Sequence, residues 1–221
     1  MNITNKIEIT NECNMSLMSR YPDNYFDLAI IDPPYGLSKT TLGGYLKKSA
    51  DTNNMNRLYK ENPFDDGIPD KAFFEQLFRV SKNQIIWGGN YMAHLLPPSR
   101  GWIYWDKVKF SKKHSSGELA WTSFDKILKE VKIQHHGFLK NKEEWIHSTQ
   151  KPITLYEWIL DNYAKNDFKI LDTNLGSGSH ACAVYNNKNV SLVACEKIKD
   201  IYDKSLIKIQ NHIENKIKNE R

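Results

Sequence analysis

Cysteine is scarce in this sequence. There are three, Cys13, Cys182 and Cys195; their number is odd and no pair has metal-ligand spacing. That argues against a disulfide framework and against a structural zinc site, and no metal ion is expected. Each has apolar neighbours, which predicts buried free thiols in a reducing compartment. Long apolar runs are absent, so no segment reads as a membrane span, and the first residues carry no leader pattern. There is no internal repeat and no low-complexity tract, which excludes solenoid and fibrous architectures. These absences predict a soluble, cytoplasmic chain. Arginine is sparse beside lysine, so the net charge of +5 suits contact with backbone phosphates more than bidentate reading of base edges. An excess this mild is also common in proteins with no polyanionic partner.

What remains is an ordinary apolar fraction with six Trp and eleven Tyr in 221 residues, enough for one large α/β domain over 1–221. Apolar runs predict strands over 3–10, 26–31, 84–90, 101–107, 118–124, 168–172 and 191–196. Helical spacing predicts helices after Cys13, over 70–80, from Pro152, over 180–185 and over 197–221. Seven strands interleaved with helices imply a doubly wound, mostly parallel Rossmann-like sheet with helices on both faces. Three polar stretches stand outside it. Residues 37–62 form a variable loop, a candidate lid, with Lys39 and Lys47. Residues 107–117 hold Lys107, Lys109, Lys112 and Lys113, and 125–146 is lysine-rich without a periodic pattern. Both are candidate nucleic-acid contact segments, although solvated loops are often this charged.

The stretch Ile30-Ile31-Asp32-Pro33-Pro34-Tyr35-Gly36 ends a buried strand in an acid, two prolines and an aromatic. Two prolines donate no backbone hydrogen bond and hold φ near about −65°, so the strand stops in a stiff turn. The turn presents a carboxylate, free carbonyls and a ring where open α/β sheets bind ligands. A plain reading is a strand end whose acid caps the next segment. Near the other end, a strand over 168–172 runs into Asp172-Thr173-Asn174-Leu175-Gly176-Ser177-Gly178 and then a helix. An acid, Glu196, closes the following strand about 20 residues later, the spacing of a ribose-hydroxyl acceptor.

Asp-Pro-Pro-Tyr-Gly after an apolar strand resembles the catalytic motif of S-adenosylmethionine-dependent amino-group DNA methyltransferases. His147-Ser148-Thr149-Gln150-Lys151-Pro152 resembles the family's His-Pro-Thr-Gln-Lys-Pro, with Ser148 in place of proline. The order, catalytic motif first and cofactor loop last, is similar to the β group, and the likeness covers nearly the whole chain. It implies methyl transfer from S-adenosylmethionine to an exocyclic amine of a base flipped out of the duplex. Asp32 and the carbonyl at Pro33-Pro34 would accept the amine N–H bonds, and Tyr35 would stack on the base. Glu12, with Cys13 beside it, would meet the adenine end of the cofactor, although the usual acid there is Asp. Thr149, Gln150 and Lys151 would meet its methionine end. Asp172, Thr173, Asn174, Leu175, Gly176, Ser177 and Gly178 would line it, and Glu196 and Lys197 would hold the ribose side.

Gly88-Gly89-Asn90 would allow close approach of the flipped base, with Asn90 lining its pocket. Asp at the first motif position leans towards adenine N6; Ser there would lean towards cytosine N4, which stays open. The family loop begins Asp-Pro-Phe, and its replacement by Asp172-Thr173-Asn174 implies weaker cofactor packing. A degenerate, non-catalytic DNA-binding module is a further alternative. Methylation of RNA or of a glutamine side chain is another, but the glutamine enzymes carry Asn before Pro-Pro-Tyr. No cysteine follows a proline, which argues against the covalent ring-carbon route. The implied partner is DNA and the implied setting bacterial or phage-type. About twenty residues are too few for a separate recognition domain, and a homodimer is one way to supply the missing contacts.

Overall fold

The computed structural model describes residues 2–36, 67–108, 115–134, 146, 149–187 and 189–219. The loop expected over 37–62 with Lys39 and Lys47, the lysines Lys109, Lys112 and Lys113, residues 135–145 of the segment 125–146, and His147 and Ser148 lie outside the described residues.

The chain opens with β1 (Asn2–Thr4) and β2 (Ile7–Thr10), followed by α1 (Asn14–Ser19) and β3 (Leu28–Ile31). After α2 (Lys71–Val80) come β4 (Gln84–Trp87), two short 3-10 turns, β5 (Trp102–Asp106), β6 (Gly117–Thr122) and β7 (Lys129–Lys132). The remainder is α3 (Ile153–Tyr163), β8 (Lys169–Asp172), α4 (Ser179–Asn186), β9 (Ser191–Cys195) and α5 (Lys199–Asn219). All these strands join one sheet in the order β1-β2-β9-β8-β3-β4-β6-β5-β7. The run β2-β9-β8-β3-β4 is parallel throughout. β6 is antiparallel to both β4 and β5, and β7 returns parallel to β5.

Nine strands form among the described residues, rather than the seven expected. The segment expected as one strand over 3–10 folds back on itself as the antiparallel pair β1 and β2. β7 escaped the sequence because its residues, Lys-Glu-Val-Lys, show almost no apolar signal. An edge strand needs little inward apolar surface, and here only Val131 is buried.

β3 reads as four consecutive apolar residues because it is central, parallel and covered on both faces. Leu28 and Ile30 share a core with Leu155, Tyr156 and Ile159 of α3 and Ile209 of α5. Ala29 and Ile31 face the opposite core, with Leu17 and Met18 of α1 and Phe73, Phe74 and Leu77 of α2. Asp70 starts α2 by accepting the Phe73 N–H at 2.9 Å, the capping interaction expected of an acid at that place. The stripe expected along α5 packs through Ile201 and Ile209, but Ile217 emerges exposed near the end.

Parallel pairing brings the ends of β2, β9, β8, β3 and β4 to one edge: Thr10, Cys195, Asp172, Ile31 and Trp87. β6 runs the other way, so its beginning, Gly117-Glu118, lies at that same edge; the Gly88 N–H donates to the Leu119 carbonyl at 2.9 Å. No helix among the described residues is long and apolar enough to cross a membrane.

Candidate active site

Asp32 leaves β3 at this edge and meets a group contributed by three other elements. Its Oδ1 accepts the Tyr35 hydroxyl at 2.7 Å and lies 2.6 Å from Lys151 Nζ. Glu118 Oε2 stands 3.1 Å from the same ammonium and 3.2 Å from the Tyr35 hydroxyl. Lys151 Nζ also donates to the Tyr35 hydroxyl oxygen at 3.0 Å. Glu118 Oε1 is taken by Lys107 Nζ. Two carboxylates and two ammonium groups thus compensate one another at the end of the sheet.

The shelter is deep. The Lys151 side chain is 2% exposed, and Asp32 and Glu118 are about one-fifth exposed, at 21% and 19%. Burial raises the Asp32 carboxyl above its ordinary value, with Lys151 working against that rise and Glu118 adding to it. Burial also acts to raise Glu118, but Lys151 and Lys107 overcome it and hold that carboxyl at about 2. Burial disfavours the charge on Lys151, yet Asp32 and Glu118 outweigh it and hold the ammonium above its ordinary value. Burial and the two carboxylates push the Tyr35 hydroxyl well up, so it stays a donor.

The Tyr35 ring lies on Gly88. A Cβ at Gly88 would stand 2.2 Å from Tyr35 Cε1, and φ there is +67°. The glycine expected to admit a base therefore admits the ring of Tyr35. Tyr91, which is 44% exposed, stacks on Tyr35 with centroids 5.3 Å apart and planes at 22°. Asn90 is exposed in the same 3-10 turn. Pro33 is buried and Pro34 half-buried. Trp87, at the end of β4, has its ring 5.1 Å from Lys151 Nζ, and its indole N–H is buried with no partner among the described residues.

The expected cofactor loop is tied to its neighbours. Leu175 N–H donates to the Cys195 carbonyl at 3.0 Å, and Gly176 N–H to Glu196 Oε2 at 3.0 Å. Glu196 Oε1 accepts the Ile198 N–H at 2.9 Å, and burial raises this carboxyl. Asp172 Oδ1 accepts the Asn174 N–H at 2.9 Å, and its Oδ2 lies 2.8 Å from His180 Nδ1. The His180 ring stacks on Tyr156 at 4.7 Å, and its Nε2 is buried with no partner among the described residues. Thr173 bonds Asn174 Oδ1 at 2.7 Å, and Leu175, Ser177 and Thr173 are buried. Gly178 serves packing: a Cβ there would meet Ile209 of α5 at 2.9 Å.

Several expected site residues already hold partners within the protein. Lys107, expected on DNA phosphates, is 7% exposed and committed to Glu118. Glu12 forms a two-point pair with Arg20, at 2.5 and 2.6 Å, and Arg20 holds its carboxyl below the ordinary value. Cys13 is exposed, whereas Cys182 and Cys195 are buried as expected. Lys151, placed by sequence at the cofactor's methionine end, has its ammonium on Asp32 and Glu118. Gln150 is buried and accepts the Ile146 N–H at 3.1 Å; Thr149 and Lys197 are exposed. Sequence reasoning missed Glu118, Tyr91, Trp87 and His180. Glu118 had a signal, an acid opening an apolar strand, but it points to the site only once β6 is known to run backwards. No cluster of three metal-ligating side chains occurs among the described residues.

No protein-family profile matches the sequence, and no curated protein matches it. The fold is nevertheless shared with solved structures. M1.HpyAVI in complex with SAM is 15% identical, with TM-score 0.56 over 90% of this chain and 97% of that one. PvuII DNA methyltransferase, cytosine-N4-specific, is 11% identical, with TM-score 0.62 over 96% and 91%. TTHA0409 from Thermus thermophilus, a putative DNA modification methylase complexed with S-adenosyl-L-methionine, is 10% identical, with TM-score 0.58 over 93% of each chain. At these identities the likeness establishes a Rossmann-like methyltransferase fold.

Proposed function

We propose that this chain is an S-adenosylmethionine-dependent DNA methyltransferase that modifies an exocyclic amino group, with adenine N6 as the target. One observation carries the reading: a sheltered carboxylate, Asp32, stands at the end of the central parallel strand and already accepts two donors on one oxygen. An amine N–H donor is the kind of group this acceptor is built to hold.

The residues at the neighbouring strand ends fit the cofactor. The loop 173–178 contains no lysine or arginine, as suits a cofactor without phosphates. Glu196 sits against Gly176 at the end of β9, where a ribose hydroxyl finds its acceptor in such sheets. The N-terminus of α4 favours the cofactor's carboxylate. When bound, S-adenosylmethionine supplies an electrophilic methyl group.

The chain's own contribution is to make a poor nucleophile adequate. The amine lone pair is delocalised into the base. Accepting its N–H bonds at Asp32 and at the Pro33 carbonyl concentrates electron density on nitrogen and orients the lone pair. As positive charge builds on that nitrogen, Asp32 stabilises it and receives the proton it loses. The target base must leave the duplex to reach the site. Asp, rather than Ser, at position 32 supports adenine through the resemblance of the motif, and its full carboxylate is a strong acceptor for the amine.

The test is transfer of labelled methyl groups to unmethylated DNA, read by nucleoside mass spectrometry, with Asp32→Ala alongside. N6-methyladenine from the wild type alone is the expected result. N4-methylcytosine would keep the mechanism and correct the base. Failure to bind the cofactor would favour a non-catalytic DNA-binding module.

A further inference from the structure

We propose that Glu118 is a second seat for the Lys151 ammonium, so that Lys151 moves from Asp32 onto Glu118 when the target amine arrives. The inference rests on the proposed function for the arrival of the amine, and on the structure alone for the two seats.

Asp32 Oδ1 is already filled by Lys151 Nζ at 2.6 Å and the Tyr35 hydroxyl at 2.7 Å. A target amine joins them at this carboxylate, whose other oxygen also accepts. Lys151 is the neighbour that matters, because an ammonium held against Asp32 opposes the positive charge that builds on the amine during transfer. It cannot retreat to water. Its side chain is 2% exposed, and its Nζ sits over the rings of Trp87 and Tyr35 at 5.1 and 5.5 Å. Moving a buried ammonium away from every anion is strongly unfavourable.

Glu118 removes that obstacle. Its Oε2 is already 3.1 Å from Lys151 Nζ, so the ammonium keeps an ion pair there as it leaves Asp32. Its other oxygen is fixed by Lys107, which anchors the carboxylate in place. The Tyr35 hydroxyl reaches both seats, at 2.7 Å to Asp32 and 3.2 Å to Glu118, and can follow the ammonium. Each charge then keeps a partner in both arrangements. Glu118 acts through Lys151 and is a positioning residue.

The first test reads stability and does not depend on the reaction. Asp32→Asn and Glu118→Gln are made singly and together, and urea unfolding is followed, first with Lys151 present and then in a Lys151→Met background. With two seats, each single variant leaves the ammonium one carboxylate and the double variant strands it, so the double loss exceeds the sum of the single losses. Repulsion between the two carboxylates has the same sign but survives removal of the lysine. The expected result is an excess that shrinks in the Met background; additive losses, or an excess untouched by Lys151→Met, overturn the proposal.

The second test reads the hand-over. Glu118→Gln is expected to slow single-turnover methyl transfer about tenfold or more while cofactor affinity is kept, and adding Lys151→Met is expected to recover part of the loss. Glu118→Asp, which keeps the charge but shortens the reach, is expected to fall between, and replaces the Gln variant if that chain does not fold. Wild-type transfer by Glu118→Gln overturns the hand-over. A wild-type chain that modifies no DNA, with the stability excess as expected, refutes the proposed function and supports the two seats.

Discussion

Gly88 and Tyr35 are in contact across the end of β4, with room for a hydrogen and for nothing larger: a Cβ would stand 2.2 Å from the ring. Gly88→Ala therefore forces the ring away and places a side chain at φ +67°. We expect a loss of about 1–3 kcal/mol of stability and a larger loss of methyl transfer, because Tyr35 also carries the hydrogen bonds to Asp32 and Glu118. Thermal unfolding beside a transfer assay checks both; unchanged transfer would show that the ring's position is not needed.

Asp32→Ala removes the proposed acceptor for the amine. Transfer is expected to fall by roughly a thousandfold or more, with cofactor affinity by calorimetry unchanged. Turnover near wild type would sink the mechanism.

Glu196→Ala should weaken S-adenosylmethionine by roughly 1–3 kcal/mol, the value of a charged acceptor. The substitution also frees the N–H groups of Gly176 and Ile198, so the loop loosens as well. Titration of the cofactor measures this, and an unchanged Kd removes Glu196 from the site.

Lys107→Met separates a structural role from a phosphate contact. Breaking its buried pair with Glu118 is expected to cost roughly 2–4 kcal/mol, towards the lower end because Lys151 still faces Glu118. The salt dependence of DNA binding should not change. A slope smaller by about one would restore Lys107 to the DNA surface.

The two carboxylates titrate in opposite senses. Glu118 is held at about 2 against an ordinary 4.5, so its share of stability is whole above 4.5 and is lost as pH falls towards 2. That share is roughly 3 kcal/mol. Asp32 is raised above its ordinary 3.8 by burial, so the folded chain takes up that proton more readily than the unfolded one and slightly offsets the loss. In the proposed mechanism, methyl transfer needs Asp32 ionised. On lowering pH, activity is therefore expected to disappear before the fold does. Rate and circular dichroism over the same pH series would show the order, and simultaneous loss would contradict it.

Much of this was legible in the sequence, and for physical reasons. β3 announces itself because a strand buried on both faces is an unbroken apolar run, and the acids Asp32, just after β3, and Asp172, closing β8, mark one edge of the sheet. The α2 start was readable from Asp70, whose side chain has one obvious use. β7 was not, because an edge strand buries too little to leave a pattern. Partner choice was also hidden: nothing local tells that Lys151 reaches Asp32 or that Glu12 is taken by Arg20. The first of these pairings joins residues distant in sequence, and only the strand order brings them together. The second depends on how the turn after β2 feeds α1, which no spacing rule specifies. The three and four spacing of apolar residues along α5 gave its packed face, but not where that face runs past the sheet.

The reversed direction of β6 has a consequence for how this site could be remodelled. The connection from β5 to β6 leaves the sheet after Asp106 and re-enters it at Gly117, both at the edge where the parallel strands end. Residues can be added or removed there without disturbing strand register, because insertion cost grows slowly with loop length. The connection can thus be lengthened or exchanged between Val108 and Ser115, provided that Lys107 is kept to anchor the Glu118 carboxylate, while Glu118, seated on the strand itself, stays where it is.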